Sequence, residues 1–153
     1  MKTFIALIAG CFLTAGAMAV DIVQMRLVAA TPSTNSESMS MVSKNGDKIV
    51  TTTLNIEKAV LIDQKALKSA RVSKDSLGRP MIEITFTKDG AERFATVTKQ
   101  NLHKQLAIII DGHLTSAPII QTPITGGKGL IIGNFSQEEA GDLAKRINAV
   151  AKK

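Results

Sequence analysis

"LAIIIDGHLTSAPIIQTPITGGKGLIIGNF", residues 106–135, is strongly apolar yet broken by glycine and proline. Such a run could be a membrane span, a phosphate-binding loop or the spine of a sheet. A span needs about 20 predominantly apolar residues in succession. Here Asp111-Gly112 and then Pro118 interrupt well short of that length. Asp-Gly is a favoured centre for a two-residue type I′ turn, which requires positive φ at both central positions. "LAIII" and "HLTSAPII" are therefore expected to fold back on each other as a hairpin. Pro118 has no N–H for a ladder, so the second strand is an edge there or carries a bulge. The glycines that follow do not make a phosphate loop. That motif needs G-x-x-x-x-G-K-[ST] between a strand and a helix, whereas Lys128 is followed by Gly129 and a strand-like "LIIGNF". Gly126 and Gly127 read as a turn that needs positive φ.

Downstream, Ser136-Gln137-Glu138-Glu139 has the spacing of a capping box. The Ser136 hydroxyl and the Glu139 carboxylate would each bond an otherwise unpaired N–H of the first turn. Phe135 and Ala140 are spaced as a hydrophobic staple across it. Ala140, Leu143, Ala144 and Ile147 then fall on one helical face. Lys145, Arg146, Lys152 and Lys153 are placed to meet the negative end of the helix dipole.

Upstream, Ser76 to Pro80 reads as a turn. Ile82, Ile84 and Phe86 alternate with Met81, Glu83 and Thr85, the pattern of a strand with one buried side. Asp89-Gly90-Ala91-Glu92 has D-x-x-E helix-start spacing, and Ala91, Phe94, Ala95, Thr98 and Leu102 follow at helical intervals. The first half is less regular. Ile22 to Ala30 is a strand with Val23, Met25 and Leu27 on one face. Residues 31–48, "TPSTNSESMSMVSKNGDK", are Ser-rich and weakly patterned, and read as a flexible loop with a turn at Asn45-Gly46. "IVTTTLNI" is β-branched and strand-like. "AVLIDQKALKSARV" predicts a short strand, a helical turn starting near Asp63, and another strand. The sum is an α+β fold: a mostly antiparallel sheet with two amphipathic helices packed on one face.

The chain has 153 residues, which fits one domain, and a formal net charge of +6. Lys2, the apolar residues 3–14 and Ala17-Met18-Ala19 match a secretory signal, so residues 1–19 are expected to be removed and residues 20–153 to form a single domain. Cys11, the only cysteine, would leave with the signal; anchoring as a lipoprotein through it is not expected, because cleavage there leaves too short an apolar core. A mature chain of this kind would have no disulfide, no thiol nucleophile and no further membrane-spanning segment. Lys44, Lys48, Lys58, Lys65, Lys68, Arg71, Lys74 and Arg79 are scattered, and there is no Trp or Tyr to stack on bases. Nucleic acid is not an expected partner.

No reactive constellation emerges. His103 and His113 have no partner at metal-ligand spacing. Asp111 is accounted for by its turn. Ser116 lies outside any G-x-S-x-G motif and has no evident base. No catalytic residue, cofactor or metal is expected, which leaves binding surface. A sheet edge can accept an extended peptide as an added strand. The candidate edge is the one broken by Pro118, comprising Ser116, Pro118, Ile119, Ile120 and Ile124; the competing reading is that these isoleucines pack under the helices.

Residues 70–147 resemble the head part of the first periplasmic domain of SecD, an accessory subunit of bacterial Sec export. The matching text is "FTKDGAERFATVTKQNLHKQLAIIIDG", then "SAPIIQTPITGG", then "IIGNFSQEEAGDLA". The resemblance implies a periplasmic module that contacts unfolded or translocating polypeptide. SecD's membrane helices have no counterpart after the leader, so proton coupling is not implied. The alternative is a regulatory or structural domain that docks onto one cell-envelope protein.

Overall fold

The computed structural model describes residues 21–45 and 48–151. The expected signal (1–19), Cys11, Gly46 of the Asn45-Gly46 turn, and Lys152 and Lys153 lie outside the described residues. Nine strands and two α-helices are described: β1 Val23–Leu27, β2 Ser36–Asn45, β3 Lys48–Glu57, β4 Ile62–Asp63, β5 Leu67–Lys74, β6 Pro80–Phe86, α1 Lys88–Gln100, β7 Leu106–Ile110, β8 His113–Ser116, β9 Lys128–Ile131 and α2 Gln137–Ala151. A short 3₁₀ turn, Gln64–Ala66, joins β4 to β5, and the Asp63 side chain caps it by accepting from Lys65 N.

The strands form three antiparallel sheets, β4-β1-β7-β8, β2-β3 and β5-β6-β9. "LAIII" is β7, and all five of its side chains are buried. Residues 106, 108 and 110 point one way and 107 and 109 the other, so both faces of the strand are covered. On the first face Leu106, Ile108 and Ile110 stand opposite Leu27, Met25 and Val23 of β1. They join Ile82, Ile84 and Phe86 of β6, Ile131 of β9, Phe94 of α1, and Ala140, Leu143, Ala144 and Ile147 of α2 in one core. Both helices thus feed the same core, as expected for the α+β class. On the second face Ala107 and Ile109 join Ile56 of β3 and Leu114 of β8, with Met39, Met41 and Leu54 packed against them. Burying each Ile or Leu is worth about 1.5–3 kcal/mol.

That second cover corrects one expectation. Residues 36–45, read as part of a loop, are β2, in register with β3 from Ser36↔Glu57 to Asn45↔Lys48. The stretch alternates serine with glutamate and methionine. Met39 and Met41 supply its inward face, and Ser38 and Ser40 bond Asn55 and Thr53 across the outward one. These hydroxyls are satisfied by partners on β3 at a solvated surface, which a count of polar residues cannot distinguish from a loop.

Helix α1 begins two residues earlier than the D-x-x-E spacing suggests. Thr87 is the N-cap, its hydroxyl accepting from Gly90 N at 3.0 Å. Thr87 N also donates to Ala66 O at 2.9 Å, tying the helix start to the 3₁₀ turn. Leu102 lies beyond the helix and is exposed, while Val97 is buried. The cap of α2 is as expected: Ser136 N donates to Glu139 Oε2 at 2.7 Å and Glu139 N to Ser136 Oγ at 3.1 Å. Lys145 and Arg146 do not serve the helix dipole, since no described basic residue lies in the last turn. They pair with Asp142 and Asp111 instead.

Two stability outcomes follow. Ser136→Ala should lower stability by about 0.5–2 kcal/mol in a thermal melt. Gly90→Ala would ordinarily strengthen a helix by about 1 kcal/mol. Here the added Cβ would run into the Ala66 carbonyl oxygen and the Thr87 hydroxyl, so the variant should melt below the parent protein; a higher melting temperature would contradict this packing.

Candidate functional site

Asp111 (φ 50°) and Gly112 (φ 79°) both have positive φ, as the type I′ reading requires. The turn has a second role invisible to spacing. Arg146 of α2 grips the Asp111 carboxylate with both terminal nitrogens, one at 2.8 Å through Nη1. This holds the Asp111 pKa below its ordinary value, chiefly through the Arg146 hydrogen bonds, and raises that of Arg146. Of the two glycines read as a positive-φ turn, only Gly127 has positive φ (67°); Gly126 does not.

The candidate edge residues divide. Ile120 is 5% exposed and belongs to the core. Its N–H and C=O pair with Lys104 O and His103 N, at 2.9 and 2.8 Å. Ile119 (51%) and Ile124 (37%) are exposed. Pro118 is exposed, and its carbonyl accepts from Leu106 N at 2.8 Å, so the segment after β8 stays against β7. The strand is an edge with a register shift near Ile108/Ile109, as the proline demanded. The Ser116 hydroxyl oxygen is buried without a protein hydrogen-bond partner. Ile124 N bonds the buried Thr98 hydroxyl at 2.9 Å, fixing the following loop to α1.

Ser116, Pro118, Ile119, Ile120 and Ile124 all line one cleft of about 900 Å³. Its opposite wall is the free side of β9 and the chain beyond it, with Leu130 (49% exposed), Ile132 (56%) and Phe135. Met25, Ile108 and Phe94 lie at its floor, and Met41, Met81 and Arg79 on its rim. The sequence reading missed the β9 wall. The signal was there: with Ile131 inward, alternation sends Leu130 and Ile132 outward, the same rule that oriented β6.

Charged residues of the cleft and of the adjoining sheet are paired. Glu83 accepts from Arg71 (2.8 Å) and Lys128 (3.3 Å) across the three strands of its sheet, and these contacts, Arg71 first, lower its pKa. Asp75 accepts from Arg79 N and Nε, which closes the β5–β6 turn. His103 and His113 are exposed. Among the described residues no group of three or more His, Cys, Asp or Glu could hold a metal, and no described helix is long and apolar enough to cross a membrane.

The family model for the SecDF P1 head subdomain matches residues 36–151. The chain belongs to this family. It is 46% identical over 92 residues to the protein translocase subunit SecD of Leptotrichia buccalis, covering 60% of this chain and 23% of that protein. It is 47% identical over 78 residues to SecDF of Thermus thermophilus, 51% of this chain and 11% of that protein. The fold matches SecDF in its super-membrane-facing form at a TM-score of 0.66 and 28% identity, over 84% of this chain and 19% of that one. A second match, to a structure of the membrane component SecDF that enhances protein export, has a TM-score of 0.64 and 26% identity, over 84% of this chain and 62% of that one. This head chain spans less than a quarter of the length of the curated relatives named above. The family match starts at Ser36, so the β2–β3 hairpin lies inside the head subdomain.

The Asp111–Arg146 pair sets a pH expectation. The folded carboxyl pKa lies below the unfolded value, so its stabilisation is present at neutral pH and is lost as pH falls through the folded pKa. Both side chains are over a third exposed (47% and 41%), which limits the pair to about 0.2–1 kcal/mol. Arg146→Gln should melt lower at neutral pH, with the gap to the parent closing below the ordinary Asp pKa of about 3.9. A gap unchanged down to strong acid would assign the loss to packing instead.

Proposed function

We propose that this chain is a periplasmic, non-catalytic binding module that contacts unfolded or translocating polypeptide during protein export, through the cleft between β8 and β9. The observation that carries the reading is the cleft itself: about 900 Å³ in volume, walled by exposed isoleucine and leucine, in a member of the SecDF head family. Ligand cavities typically run to about 300–1,000 Å³ and are mostly apolar. Methionine at floor and rim adds walls that adapt to side chains of different shape. Ser116 lines the same cleft, between the apolar positions of β8 and Pro118. Ser116, Pro118, Ile119 and Ile124 remain the site residues on the β8 side; Ile120 supports them from the core. The basic surplus of the chain favours acidic or anionic surroundings without selecting a sequence. Signal cleavage after Ala19 would deliver the module to the periplasm.

Fluorescein-labelled lactalbumin, reduced and carboxymethylated so that it stays unfolded, is the direct probe. Its anisotropy should rise with added protein at micromolar strength, and native lactalbumin should not compete. Ile119→Asp combined with Ile124→Asp should weaken binding by about tenfold or more, since apolar contact at two exposed positions is lost. No rise with the parent protein would end the reading. Crosslinking in intact cells that returns one envelope protein and no unfolded clients would favour the docking alternative.

A further inference from the structure

The sheets leave several edges, and they are not equivalent. The outer edge of β5 is closed by a side chain: Ala70 N donates to Asn148 Oδ1 and Asn148 Nδ2 donates to Ala70 O, both at 2.8 Å. The carboxamide thus imitates a neighbouring strand. β3 is joined near its end by the Val28–Ile56 bridge and by Ala29 N donating to Asn55 O. On the β8 side the Ala117 carbonyl is taken by Gln105 Nε2 at 3.1 Å, and residue 118 is a proline without an N–H.

β9 differs. Phe86 N donates to Gly127 O at 3.0 Å, which makes 86 and 127 a hydrogen-bonded pair. Such pairs alternate down an antiparallel ladder, so Ile84↔Gly129 and Ile82↔Ile131 are hydrogen-bonded pairs too. Lys128 and Leu130 stand between them. Their N–H and C=O groups therefore point away from β6, toward the cleft that both residues line. This edge is also recessed. The Ser116–Ile124 segment faces it, and the end of β2 (Met41 to Ser43) and the β5–β6 turn stand at the rim. At about 900 Å³ the space is of a size to take a short extended segment.

We infer that the polypeptide bound in the cleft adds to β9 as a fourth strand of the β5-β6-β9 sheet, pairing with the N–H and C=O of Leu130. This rests on the peptide-binding reading above and gives it a mode. Affinity comes mainly from main-chain hydrogen bonds, which suits clients of unrelated sequence. Preference comes from alternate side chains, of which every second one faces the apolar floor. The preferred client segment is extended, apolar at alternate positions and free of proline where it meets Leu130.

Leu130→Pro tests the mode. The N–H removed faces the client and makes no bond to β6, and proline is tolerated in edge strands at such positions. The variant should fold, judged by circular dichroism, yet bind unfolded lactalbumin about tenfold or more weakly, since a main-chain hydrogen bond and the approach of the strand are both lost. Leu130→Ala keeps the N–H and removes only the side chain that lines the wall, so it should weaken binding clearly less than Leu130→Pro does. Equal weakening by both variants would make the contact one of side chains and overturn the inference. If Leu130→Pro does not fold, amide exchange on the parent protein decides: the Leu130 N–H should exchange more slowly when a soluble peptide alternating valine and serine, flanked by glutamate, is added. Binding without that protection overturns strand addition while leaving the polypeptide reading intact. Protection that grows with protein concentration and needs no peptide assigns the edge to self-association and likewise overturns it. No binding by the parent defeats the functional reading itself.

Discussion

Everything in this domain is arranged around one requirement, that β7 be covered on both sides. Five consecutive apolar side chains on a strand place three on one face and two on the other, and neither set can be left to water without forfeiting several kcal/mol. Two covers meet the requirement. The larger is built from β6, β9 and the two helices, laid over the face that β7 shares with its neighbour β1 around Leu106, Ile108 and Ile110. The smaller is the β2–β3 hairpin laid over Ala107 and Ile109. Because the covers are separate sheets, they cannot close into one continuous layer. The cleft is the seam that remains on one side, between the end of the sheet containing β7 and the end of the sheet containing β9.

The same arrangement decides what kind of chemistry the surface can support. Charged side chains are committed to structure: Arg146 to Asp111, Arg71 and Lys128 to Glu83, Arg79 to Asp75. Carboxylates whose pKa values are lowered stay ionised at neutral pH and are poor proton donors. The groups left in the seam include main-chain N–H and C=O, exposed aliphatic side chains and neutral polar side chains such as Gln121, Thr122 and Asn134. Those recognise polypeptide by shape and backbone, a mode suited to partners that share no sequence. Membership of the SecDF head family is consistent with such a partner.

Much of the fold was legible in the sequence because the decisive signals are local. Asp111-Gly112 fixes a hairpin through backbone sterics alone, and Ser136 to Glu139 fixes a helix start through two reciprocal hydrogen bonds. The alternation of Ile82, Ile84 and Phe86 orients β6. What could not be read is non-local. β2 looks like a loop because its hydroxyls are satisfied across the hairpin by Asn55 and Thr53, far along the chain. The helix α1 cap is Thr87 because Ala66 docks there, which no spacing within 87–92 reports. Pro118 falls just beyond β8, the outer strand of its sheet, but only the ladder between β6 and β9 reveals which main-chain groups of the opposite wall are open. Ile120 shows the limit of residue type, since an isoleucine beside an exposed isoleucine can be wholly interior.

The smaller cover has a consequence for how the molecule breathes. Among the described residues its buried centre comprises Ile56, Ala107, Ile109 and Leu114, with Met39, Met41 and Leu54 packed against them, and a two-stranded ribbon alone is marginal in water. The ribbon is therefore a flap whose place on the body rests on that contact. Local opening follows such seams, at free energies well below global unfolding. The flap carries Met41 and Val42, which stand at the mouth of the cleft, so its fluctuations would widen and narrow the entrance without disturbing β9. A ribbon seated through so few side chains is where the first local opening of the domain is expected, ahead of the β5-β6-β9 sheet.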